Sequence, residues 1–163
     1  MTRTTTGTVD IRPCTSSPDL DQARALMREY APDIGEAREY QQFDQEVQQL
    51  PGKYTPPLGR LLLAWSNGAA LGCIALRELS PGTCEMKRMY VRPTARGAGV
   101  GRALAARLIE EARSIGYRSM KLDTSAEMLA ARRLYQSLGF RPCERYNDDP
   151  VPCTLFFELS LDQ

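Results

Sequence analysis

The 163-residue chain carries 21 Lys and Arg against 20 Asp and Glu, a formal net charge of +1, with 42% hydrophobic and 25% charged residues. That is the composition of a single soluble globular domain, long enough to bury a core without metal or disulfides, and its charge balance argues against a dedicated nucleic-acid binder. With no histidine at all, His-ligated zinc, Ser–His and Cys–His nucleophile pairs and His-held haem are excluded, and no metal site is expected.

The five cysteines (Cys14, Cys73, Cys84, Cys143, Cys153) are scattered and form no Cys-x-x-Cys pair. They read as reduced, partly buried thiols of a cytoplasmic protein. The strongest apolar run, Leu61-Leu62-Leu63-Ala64-Trp65, is far shorter than the roughly 20 residues of a membrane span, so no membrane partner is expected. Residues 1–7 are Thr-rich without the apolar stretch of a signal peptide and read as a flexible tail, leaving 8–163 as one domain.

Thr8 to Arg12 alternates with period two and reads as a strand. Leu20, Ala23, Leu26, Met27 and Tyr30 recur at helical spacing, so 18–31 is an amphipathic helix ended by Pro32. A more polar helix is expected from Glu39 to Leu50, stopping at Pro51-Gly52. Arg60–Ser66 and Ala70–Glu78 flank Asn67-Gly68, the residue pair of a type I′ hairpin. Cys84–Val91 is a third strand, closed by Pro93. Val100, Leu104, Leu108, Ala112 and Ile115 form one helical stripe ending at Gly116. A strand over 117–123 follows, then a helix over 127–138 with Gly139 and Phe140 placed for a Schellman ending, and strands over 140–146 and 154–161. The order β-α-α-β-β-β-α-β-α-β-β describes a mixed sheet with helices on its faces, of α/β or α+β class.

Chemistry concentrates where the third strand meets the third helix. Arg96-Gly97-Ala98-Gly99-Val100-Gly101-Arg102 places three glycines at a helix start, where free N–H groups and the positive end of the dipole favour an anion. From Met86 to Ile109 there are six basic residues and no acid. A P-loop is excluded because Gly101-Arg102-Ala103 stands where Gly-Lys-Ser/Thr is needed, and a dinucleotide fingerprint because Arg102 takes the place of its third glycine. A Gly-rich turn serving only close packing is the plain alternative.

Arg96-Gly97-Ala98-Gly99-Val100-Gly101 resembles the Arg/Gln-x-x-Gly-x-Gly/Ala signature of the GCN5-related N-acetyltransferase (GNAT) superfamily. A second block, Ala131-x-x-Leu134-Tyr135-x-x-x-Gly139-Phe140, is similar to that family's Ala-x-x-Leu-Tyr-x-x-x-Gly-Phe helix and stands at the usual distance. The resemblance spans roughly 8–161 and implies a GNAT-like mixed, mostly antiparallel sheet of about seven strands with helices on both faces. It also implies acetyl-CoA as co-substrate and acetyl transfer to a primary amine of a small molecule or peptide in a ternary complex. A non-catalytic acyl-CoA-binding sensor module is the alternative. Many relatives dimerise, and nothing in the sequence decides between monomer and homodimer.

By the same resemblance the amides of Gly97, Ala98, Gly99, Val100, Gly101 and Arg102 hold the diphosphate, with the Arg96 and Arg102 side chains nearby. Met89 and Val91 pair with the pantetheine arm, and a Met89 or Tyr90 amide polarises the thioester carbonyl. Met128 stands where many relatives carry an asparagine on the cofactor arm, so Thr124 or Ser125 is expected to supply that polar contact. Tyr135 is the candidate acid for the departing thiolate, against a role in helix packing alone. Glu85, eleven residues before Arg96 and expected on one strand face with Lys87, Met89 and Val91, is the candidate base. The plain alternative is a strand residue paired with Lys87 or Arg77, and Glu78 is the reserve. Glu29, Asp33, Glu36, Glu39, Asp44 and Glu46, joined by Asp148 and Asp149, would make an acidic wall for a cationic acceptor if they face the site, and a solvated helix face if they do not.

Overall fold

A computed structural model describes residues 9–30, 37–126, 128–147 and 154–162. They form β1 (Asp10–Pro13), α1 (Ser17–Tyr30), α2 (Ala37–Gln48), β2 (Arg60–Ser66), β3 (Ala69–Ser80), β4 (Thr83–Val91), α3 (Val100–Ile115), β5 (Ser119–Ser125), α4 (Leu129–Ser137), β6 (Arg141–Pro142) and β7 (Thr154–Ser160). The seven strands make one sheet in the order β1-β2-β3-β4-β5-β7-β6, antiparallel throughout except for β4 against β5. The mixed, mostly antiparallel architecture is therefore as the sequence implied.

Most elements follow from local chemistry. Asn67 and Gly68 take the two positive φ values, 51° and 78°, that turn β2 into β3. Leu104, Leu108 and Ala112 of α3 are fully buried on one sheet face, in a core that also takes Leu62, Ile74, Leu76, Met120, Leu122, Tyr135 and Phe140. The other face is covered by α1 and α2 through Ala23, Leu26, Met27, Phe43 and Val47. Gly139, at φ +100°, ends α4, and the Phe140 N–H reaches back to the Tyr135 carbonyl at 3.0 Å. Among the described residues no helix is long and apolar enough to cross a membrane.

Three strand boundaries differ from expectation. The β5 strand begins at Ser119 rather than Tyr117 because the Tyr117 N–H completes the end of α3 on the Ala112 carbonyl, 3.1 Å away. The expected strand over 140–146 shrinks to Arg141–Pro142, since Pro142 has no N–H to extend an edge ladder, and past it the Cys143 N–H still reaches the Phe156 carbonyl of β7 at 2.9 Å. The first strand is shifted to Asp10–Pro13, and Thr8 lies outside the described residues, as do the expected tail and Glu127.

The irregularity that matters most is in β4. Cys73 pairs with Tyr90 and Ala75 with Lys87, so Ile74 alone stands opposite both Arg88 and Met89. This is a β-bulge, with Arg88 at φ +59°. Gly72 lets the strands close beyond it, since a Cβ there would lie 2.6 Å from the Tyr90 carbonyl oxygen. The bulge inverts the alternation of side chains. Cys84 and Met86 face α3 before it, whereas Met89 and Val91 face α3 after it and Tyr90 turns to the α1–α2 core. The expectation that Glu85 and Lys87 share a face with Met89 and Val91 is thereby corrected.

Candidate active site

Strands β4 and β5 pair only over Thr83–Ser119, Cys84–Met120 and Glu85–Lys121. Beyond that root they diverge, because the bulge bends β4 while β5 stays in register with β7 along its whole length. A cleft of about 810 Å³ opens through the split. One wall is β4 from Met86 to Met89, the other β5 from Leu122 to Ser125. On the α3–α4 side Met128, Ala131 and Tyr135 line it, and on the α2 side Phe43, Glu46 and Lys53.

The glycine segment lies past the end of β4, outside the residues that line this cleft. Gly99 is the left-handed residue before α3, at φ +81°, and makes no side-chain cap. The first α3-terminal hydrogen bond is Ala103 N–H to the Gly99 carbonyl. The amides from Gly97 through Arg102 meet no acceptor among the described residues, so a row of N–H groups is left for a ligand. The segment is tied to the end of β4 and to α4. The Arg96 Nε donates to the Val91 carbonyl at 3.0 Å, and the Arg102 guanidinium meets Ser137 of α4. Arg96 is therefore turned toward the strand end and the Tyr90 ring, 5.8 Å away.

Tyr135 lines the cleft with only 7% of its surface exposed. Its ring stands edge-on to Phe140 at 5.8 Å, and its hydroxyl has no hydrogen-bond partner among the described residues. Burial, with the charges of Tyr30 and Asp123 adding, raises the phenol well above its ordinary value, so it stays protonated. Thr124 and Ser125 line the cleft, with the Thr124 hydroxyl 3.9 Å from the Met128 sulfur.

Glu85 is placed differently. It is 1% exposed and is not among the residues that line the cleft. Nε and Nη2 of Arg77 both donate to its Oε1 at 2.9 Å, and the Tyr146 hydroxyl donates to Oε2 at 2.6 Å. The pairing with Arg77 that the sequence left open is thus present. Among the described residues two carboxylates line the cleft: Glu46, and Asp123, one Oδ of which accepts from the Asn147 amide at 2.8 Å. Sequence reasoning missed Asp123, Arg88 and Lys53 as cleft residues. Only the split of the sheet, which follows from the bulge, brings them together.

The acids of the helical region are largely spent on structure. Glu29 accepts from the Tyr90 hydroxyl at 3.1 Å and from Arg92 at 3.0 Å. Glu46 binds Arg88 at 2.7 Å and Lys53 at 3.1 Å. Burial works against the Glu46 charge, but the hydrogen bond and charge of Arg88 with those of Lys53 outweigh it and hold the carboxyl below its ordinary value. Asp44 accepts from Gln48 at 2.9 Å on the outer helix face. Asp33, Glu36, Asp148, Asp149 and the Glu39 side chain lie outside the described residues. The described charged lining is Lys53, Lys87 and Arg88 against Glu46 and Asp123, which is no acidic wall. The described cysteines are unpaired, and burial pushes the thiols of Cys14, Cys73 and Cys84 up to about 12.

Residues 20–140 match the family model described as the acetyltransferase (GNAT) family. The chain is 40% identical over 147 residues to an uncharacterized N-acetyltransferase of Schizosaccharomyces pombe, covering 89% of this chain and 90% of that one. Among solved structures, a GNAT-family acetyltransferase of Staphylococcus aureus superposes with a TM-score of 0.79 at 18% identity, over 95% of this chain and 100% of that one. An N-acetyltransferase of Thermoplasma acidophilum in complex with coenzyme A does so at 0.73 and 16%, over 94% and 99%. The family model covers most of the chain and the relative is similar over nearly its whole length: the chain belongs to the GNAT family and is an acetyltransferase.

Proposed function

We propose that this acetyltransferase transfers the acetyl group of acetyl-CoA to a primary amine of a small molecule or peptide, by direct attack within a ternary complex. The observation that carries the reading is the row of unpartnered amides from Gly97 to Arg102, past the end of a strand whose cleft edge is unpaired. Such a row fits a diphosphate, with Arg102 beside it and Arg96 bracing the strand end. The β4 edge past Glu85, which β5 no longer pairs, offers Met89 and Val91 to the pantetheine amides as an added strand would use them. In this reading the Met89 amide polarises the thioester carbonyl, Tyr90 being paired with Cys73 of β3. Thr124 and Ser125 on the facing wall supply polar contacts to the arm.

Acetyl-CoA supplies the activated acyl group. The protein's part is to hold a neutral amine against it and to manage protons. A lysine-like amine has a pKa near 10.4, so a proton must leave before the N–C bond forms. In this reading Asp123 takes that proton, directly or through water, because its carboxylate faces the cleft. Tyr135 gives a proton to the sulfur as the S–C bond breaks and regains one from the amine side. Glu85, the base suggested by spacing, anchors the strand at the root of the split instead.

Two measurements test this. Calorimetric titration with CoA is expected to give saturable one-to-one binding. Gly99→Ala, which forces a Cβ onto a φ of +81°, is expected to weaken it about tenfold. Absence of saturation by folded wild-type protein removes the reading. The two carboxylates separate in pH–rate profiles: Asp123→Asn loses the acidic limb of kcat/KM, and Glu85→Gln keeps it. The reverse pattern returns the base to Glu85.

A further inference from the structure

The last paired residues at the root of the split are Glu85 and Lys121. Two positions further along each parallel strand stand Lys87 and Asp123, at matched register and on the α2 face. In a continuous sheet they would be a cross-strand ion pair. The divergence of the strands holds them apart: both line the cleft, and no salt bridge joins them.

Lys87 has only a long ion pair, with Glu85. Its side chain is 21% exposed, and its ammonium is 3.9 Å from Glu85, too far for a hydrogen bond to a carboxylate already taken by Arg77 and Tyr146. Among the described residues no other acceptor meets it. An ammonium on a cleft wall whose one ion pair is a long one, to a carboxylate already held by stronger donors, is available to an anionic ligand group. Next to it are Arg88, stacked on the Phe43 ring at 4.8 Å, and Lys53, which share a single carboxylate, Glu46. That wall is net positive, and the wall across from it presents Asp123.

We infer that the acceptor is an amine that also carries a carboxylate, an amino-acid-like zwitterion bridging the split, with its carboxylate on Lys87 and its amino group at Asp123. This deepens the reading of the cleft as an acetyl-transfer site and rests on it. The arrangement disfavours polycations such as polyamines, whose second charge would meet Lys87, Arg88 or Lys53.

The test offers L-phenylalanine, L-leucine, L-aspartate and L-glutamate, each beside its α-amide, with spermidine and phenethylamine as carboxylate-free amines. Thiol release is followed with acetyl-CoA. At least one amino acid is expected to exceed its α-amide by about thirtyfold or more in kcat/KM. Lys87→Gln is expected to shrink that ratio by about tenfold or more, through the acceptor KM, and Lys87→Arg to restore part of it. Titration of the same amino acid into CoA-saturated protein is expected to weaken by a similar factor. An unchanged CoA affinity in both variants reports an intact fold.

Preference for spermidine or the amides, an unchanged ratio in Lys87→Gln, or no turnover of any acceptor while CoA binds overturns the inference and leaves the cofactor reading standing. Failure of CoA itself to bind removes both.

Discussion

Tyr135→Phe is expected to bind CoA as the wild type does and to turn over about a hundredfold more slowly at saturating acceptor. The substitution removes one atom. The phenyl ring keeps its edge-on contact with Phe140 and its place in the core beside Leu104 and Leu122, so neither stability nor the cofactor loop has reason to change. What is lost is a hydroxyl that faces the cleft and is spent on no hydrogen bond among the described residues. A purely structural tyrosine in a core ordinarily has a partner for its hydroxyl, as Tyr117 has in the Leu58 carbonyl at 2.6 Å. The raised pKa sets the sign of the pH dependence. A phenol held above its ordinary value keeps its proton further into the alkaline range, so no loss of kcat between pH 7 and about 10 belongs to Tyr135. A variant with wild-type kcat would reduce Tyr135 to packing.

How much of this could be read from the chain follows from which interactions are local. The glycine segment at the start of α3 was legible because its signal is contiguous: glycines with basic neighbours at a helix start need no tertiary information. The hairpin at Asn67-Gly68 and the α3 stripe were legible for the same reason. The acceptor side was not. Its floor depends on one extra residue in β4, and the residue with positive φ is Arg88, a type that gives no hint of a bulge. Period-two counting across that point put Glu85 with Met89 and Val91, and it could not bring Lys87 opposite Asp123. Glu29 and Glu46 of the acidic run were opaque in another way. Composition counts charges without partners, and the partners of Glu29 and Glu46 come from β4, its C-terminal flank and the loop before β2.

The buried carboxylate at the root of the split carries the largest stability effect. Glu85 is almost wholly out of water and is compensated by Arg77 and by the Tyr146 hydroxyl, with Lys87 as a more distant charge. Arg77→Met is expected to destabilise the protein by about 3 kcal/mol in urea unfolding, because it leaves the carboxylate buried with its main counter-charge gone. The charge, not the lost contacts of the arginine, sets that figure. Adding Glu85→Gln to Arg77→Met should therefore regain most of the loss, since the amide oxygen still accepts from Tyr146 while the uncompensated charge disappears. Glu85→Gln alone should cost about 1 kcal/mol, because the freed guanidinium, 28% exposed, reaches solvent. Non-additivity of about 3 kcal/mol is thus the signature. Additive losses would mean that Arg77 acts by packing, and that the join of β3, β4 and Tyr146 where the cleft begins is not held by this charge.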